Sequence, residues 1–73
     1  MVSYKPLWKL LIDRDLTKAD FRRLSGISSN TLTRMGKGEE ISMNLLNKIC
    51  AALECDYSDI IEYIPVDKKN EEH

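Results

Sequence analysis

Between Gly26 and Gly38 the chain reads GISSNTLTRMGKG, and Asn30 and Arg34 stand one helical turn apart within it. An amide and a guanidinium are the two side chains suited to paired hydrogen bonds with nucleobase edges, Asn to adenine and Arg to guanine. Ser29 and Thr33 lie on the same face and add hydroxyls that can serve a base edge or a thymine methyl. Near Ser28 and Ser29 the start of the helix offers unpaired backbone N–H groups that favour a phosphate oxygen. Lys18, upstream of this segment, and Lys37, within it, need little geometric precision to neutralise a backbone charge. In such a segment bulky apolar side chains would hold the base edges out of reach.

Other chemistry finds no support in the sequence. The phosphate-binding pattern GxxxxGK[ST] would need glycine at Thr31 and a hydroxyl at Gly38, so "MGKG" fails it twice. The single histidine, His73, is near the C-terminus, and no serine or cysteine has a base placed by a known motif. Cys50 and Cys55 are too few for a disulfide framework and, with no CxxC and no second His, do not make a zinc site. They are expected to behave as small hydrophobes. No cofactor, small-molecule ligand or metal is implied, and the chain is not expected to be an enzyme.

The elements that would position the segment can be read in turn. Pro6 suits the first turn of a helix over about 6–14, with Leu7, Leu10 and Leu11 at helical spacing. Thr17 with Asp20 has the form of an N-terminal cap, Phe21 and Leu24 make a buried stripe, and Gly26 ends the second helix. Ser28 caps the third, with Leu32 and Met35 inward and Gly36 as the left-handed stop. Ser42 caps a longer fourth helix carrying Met43, Leu46, Ile49, Cys50 and Leu53, and Asp56 caps a short fifth bearing Ile60 and Ile61 before Pro65. Strand alternation is visible only weakly, at "YIPV". The expectation is an all-α domain of five helices over 1–66, with 67–73 a disordered tail.

Two short helices joined through a glycine and resting on a longer one form a helix-turn-helix unit, in which one helix braces DNA and the next enters the major groove. At this point the chain resembles the Cro/C1-type, or XRE-like, helix-turn-helix family of small transcriptional regulators. The resemblance runs over roughly 7–63 and is carried by "LTKADFRRLSGISSNTLTRMGKG" and "ISMNLLNKICAALECDYSDII". It implies a compact lambda-repressor-like fold with the helix-turn-helix at helices two and three. Phe21, Gly26, Ile27, Leu32 and Met35 then fall at structural positions, and Lys18, Ser28, Ser29, Asn30, Thr31, Thr33 and Arg34 where family members touch DNA. Arg22 departs from the family pattern, which has alanine there; its aliphatic stem can pass along the packing edge.

The charge distribution agrees with a DNA partner although the net charge is −1. Residues 1–38 carry eight Lys or Arg against three Asp, +5, whereas 39–73 carry three Lys against nine acids, −6. The basic half would face phosphates and the acidic half away from them. No apolar run approaches the roughly 18 residues of a membrane span, so a cytoplasmic location is expected. The resulting expectation is a sequence-specific double-stranded DNA-binding regulator, repressing by occupying a promoter. A module of this size covers one half-site, so a homodimer is expected, with Tyr57, Tyr63, Ile64 and Val66 as candidate contacts. The alternative is a protein-interaction module, antitoxin-like or adaptor-like, that keeps the fold; the acidic second half and C-terminal aromatics favour it.

Overall fold

Side-chain caps set most of the element boundaries. The computed structural model describes residues 1–65, in the order β1 (Val2–Ser3), α1 (Lys5–Asp13), α2 (Lys18–Ser25), α3 (Ser29–Gly36), α4 (Met43–Leu53), a single 3-10 turn (Tyr57–Asp59) and β2 (Glu62–Tyr63). Pro6 occupies the first turn of α1, where its missing N–H costs nothing. Thr17 and Asp20 form a reciprocal capping box on α2: the Asp20 N–H donates to Thr17 Oγ1 and the Thr17 N–H to Asp20 Oδ2, both at 3.0 Å. These bonds and the Arg23 guanidinium, 2.8 Å from Asp20 Oδ1, hold the Asp20 carboxyl below its usual range. Ser28 and Ser42 cap α3 and α4 by accepting from the Thr31 and Leu45 N–H groups at 3.0 and 3.2 Å.

The helical class expected from the sequence holds, with a correction to the element count. The fifth helix is one turn of 3-10 helix: the Asp56–Asp59 capping box opens it, and the backbone leaves helical geometry at Ile60 on its way to β2. The chain then returns to its own N-terminus as an antiparallel ladder, Val2 opposite Tyr63 and Ser3 opposite Glu62. Strands of two residues are too short for their alternation to be read. The segment expected as a tail, 67–73, lies outside the described residues, as does Val66.

One core holds the helices. Leu7 and Leu11 of α1, Phe21 of α2, Met35 of α3, and Leu46, Ile49 and Leu53 of α4 are buried with Tyr4, Ile27 and Ile60. Phe21 meets the Trp8 ring edge-to-face at 6.4 Å, and Tyr4 meets Trp8 likewise. The half-buried Trp8 is thus a packing residue. Arg14 reaches across to donate to the Leu53 carbonyl, satisfying the C-terminus of α4 from a residue 39 positions away. Cys50, within α4, and Cys55, beyond its end, are free and half-buried. Burial pushes both thiols up, Cys55 to about 11, which suits packing better than reactivity.

Two apolar residues at helical spacing are not buried. Leu24 is 52% and Met43 59% exposed. On α2 the second inward position goes to Ser25, whose hydroxyl donates to the Phe21 carbonyl at 2.7 Å and is thereby accommodated in the core. Arg22 is exposed, so its charge stays in solvent.

Candidate nucleic-acid interface

The turn between α2 and α3 fixes how the third helix is presented. Gly26 has φ +74°, a left-handed conformation that L side chains adopt only at a cost, and its N–H closes α2 on the Arg22 carbonyl. Ile27, 3% exposed, then pins the turn into the core before Ser28 starts α3. The other left-handed glycine is Gly38, φ +77°, and not Gly36, which completes the helix. Lys37 lies between them as the C-terminal cap, and the N–H groups of Lys37, Gly38 and Glu39 take up the carbonyls of Thr33, Arg34 and Met35.

Helix α3 is backed by Met35, 1% exposed, with Leu32 packed against the core. Ser29, Asn30 and Thr33 are exposed, and Arg34 is half-exposed. The four residues expected to read bases are therefore accessible on one short helix that bears no bulky apolar group on that side. The Thr33 hydroxyl donates to the Ser29 carbonyl at 3.0 Å, leaving its oxygen as an acceptor. Arg34 is engaged beyond the helix: Nε donates to Glu39 Oε1 at 3.4 Å and Nη2 to the Glu40 carbonyl at 3.2 Å.

Of the residues expected to touch phosphates, Lys18, Ser28 and Lys37 are exposed. Lys18, the first residue of α2, has its ammonium 4.7 Å from the Trp8 ring centroid, a cation–π contact that steadies it. Thr31 departs from the expectation. It is only 9% exposed, and its Oγ1 accepts from the Ser28 hydroxyl at 3.0 Å, so it serves the helix cap. A threonine three positions past the cap turns inward because that position begins the face that Met35 continues one turn later. Arg23 pairs with Asp20, as its spacing allows.

Two contributors were not visible in the sequence. The hydroxyl of buried Tyr4 donates to the Glu39 carbonyl at 2.6 Å, tying the loop after α3 to the N-terminal segment across 35 positions. Glu39 and Glu40 bring negative charge to the end of an otherwise basic helix-turn-helix. The Arg34–Glu39 spacing of five across two glycines follows no helical rule, and Tyr4 has no local signal at all.

Against this geometry, residues 6–66 match the profile of the Cro/C1-type HTH DNA-binding domain. The chain belongs to that family. Among solved structures, this Cro/C1-type domain is similar to the crystal structure of transcriptional regulator VanUg, Form II, with 49% sequence identity and a TM-score of 0.85. The likeness covers 89% of this chain and 87% of that one. No curated protein matches it. Among the described residues, the Cro/C1-type domain has no helix long and apolar enough to cross a membrane and no cluster of His, Cys, Asp or Glu fit for a metal ion.

Proposed function

We propose that the chain is a sequence-specific double-stranded DNA-binding transcriptional regulator that represses by occupying a promoter, with α3 in the major groove. The observation that carries this is the exposed polar face of α3, held outward by buried Met35 on the second helix of the helix-turn-helix in a Cro/C1-type domain. Asn30 and Arg34 read bases, assisted by Ser29 and Thr33, while Lys18, Ser28 and Lys37 set the helix on phosphates. The similar VanUg is itself a transcriptional regulator.

The same reading includes a homodimer, since two half-sites about 34 Å apart are read by a two-fold pair. Its support is an apolar hollow of about 200 Å³ lined by Val2, Tyr4, Ile41, Met43, Leu46 and Ile61 beside Glu40. Exposed Met1 and Tyr63 flank it through the ladder. Tyr57 contributes less, because its hydroxyl is spent on Asn47.

Selection of bound duplexes from a random pool, followed by titration across salt, tests the proposal. It predicts an inverted repeat among the selected sequences and an affinity that falls steeply as salt rises. No retardation of any duplex at low salt would refute it and favour a protein-binding module.

A further inference from the structure

Arg34 is gripped along one edge. Its Nε and Nη2 donate to two different acceptors, the Glu39 carboxylate and the Glu40 carbonyl, and the loop that supplies them is itself anchored twice. The Glu39 N–H donates to the Arg34 carbonyl at 3.0 Å, and the Glu39 carbonyl accepts from buried Tyr4. A guanidinium offers five donors in a planar fork, and a bidentate contact with guanine O6 and N7 uses one edge of it. With Nε and one Nη2 proton committed to the loop, the edge made by Nη1 and the other Nη2 proton is the one left over. The side chain is still 43% exposed, so the grip does not bury it.

We infer that Glu39 and Glu40 are specificity-determining positioning residues: they clamp Arg34 by its side edge so that its end edge meets guanine. The inference rests on the reading of α3 as a DNA-recognition helix. A free arginine samples many rotamers and can drift to a phosphate; a clamped one gives up that non-specific contact and spends less conformational entropy on the base. The Glu39 carboxylate, 49% exposed, also repels the backbone phosphates. Its removal therefore has two effects of opposite sign, and this separates a clamp from a carboxylate that merely competes with DNA for Arg34.

The test is a double-mutant cycle of Glu39→Ala with Arg34→Ala, read as affinity for the selected duplex, for the same duplex with the Arg34-dependent guanine replaced, and for random duplex. In the wild-type background, Glu39→Ala is expected to lower guanine discrimination about five-fold, the loss of roughly one net hydrogen bond. It should raise random-duplex affinity about two-fold as a repulsive charge is lost. In the Arg34→Ala background the discrimination should not change further. Glu39→Gln, which keeps an acceptor without the charge, should recover part of the discrimination while retaining the gain on random duplex. An equal rise for selected and random duplex would overturn the clamp, as would the same loss of discrimination without Arg34. Either result leaves the DNA-binding reading intact; absence of salt-dependent duplex binding by the wild type removes both.

Discussion

Helices α3 and α4 begin alike and end in different uses. Each is started by a serine whose hydroxyl accepts from the third following N–H, and each buries part of its length in the same core. The longer α4 commits Leu46, Ile49 and Leu53 to that core and receives α2 against it, while its C-terminus is closed by Arg14. By contrast α3 buries only Thr31 and Met35 fully and turns an amide, two hydroxyls and a guanidinium outward. A helix of eight residues does not persist alone in water, so its stability is borrowed from packing while its outer face is left to function. The cap makes the helix; the exposed chemistry distinguishes scaffold from reader.

The largest effect should not discriminate between the two. Met35→Ala and Ile49→Ala each remove a fully buried side chain and are expected to cost about 2–5 kcal/mol of unfolding free energy in urea titrations. A cost under about 1 kcal/mol for Met35→Ala would mean that α3 is not held by the core.

Next in size is the comparison of outer faces. Arg34→Ala should cost about 1–3 kcal/mol of discrimination at one base pair, measured by fluorescence anisotropy against single-base variants of the selected duplex. Lys48→Ala, on the exposed side of α4, should leave that discrimination unchanged. Lys37→Ala, at the end of α3, should weaken all duplexes alike and reduce the salt slope by about 1. If Arg34→Ala and Lys37→Ala gave the same uniform loss, the division between reading and positioning would fail.

The caps sharpen the comparison further. Ser28→Ala and Ser42→Ala are each expected to lower stability by about 1 kcal/mol in thermal unfolding. Only Ser28→Ala should also weaken duplex binding of the folded protein, and an equal effect of Ser42→Ala on binding would erase the distinction.

The smallest effect concerns the far end of α4. Burial raises the Cys55 thiol to about 11, so its neutral form is favoured in the folded state. Above the ordinary thiol pKa of about 8.5 the unfolded chain loses this proton first, and the contribution to stability is lost as pH rises through 11. Melting temperature should therefore decline on the alkaline side, and Cys55→Ala should decline less. Identical alkaline profiles would show that the thiol is not sheltered.

Much of this was legible in the chain because it is local. Thr17, Ser28, Ser42 and Asp56 were readable as caps from residue type and the apolar series that follows each one. Gly26 was readable as the end of α2 because an apolar residue and a hydroxyl cap come directly after it. Gly36 and Gly38 flank a single lysine, and choosing between them needs the hydrogen bonds that close the end of α3. Leu24 and Met43 have helical spacing yet lie outside the core, since spacing defines a face but not whether a neighbour covers it. Thr31 was assigned to DNA by resemblance, whereas the packing of the cap turns it inward. The contacts of Tyr4 with Glu39 and of Arg14 with Leu53 join residues 35 and 39 positions apart, and no local pattern announces them.

The most direct test of α3 as the reading helix is dimethyl sulfate footprinting on the selected duplex, which reports guanine N7 in the major groove. Wild-type protein is expected to protect at least one guanine N7 in each half-site, and Arg34→Ala to restore its reactivity while the complex persists at higher protein concentration. Saturated binding with every guanine N7 fully reactive would contradict the account.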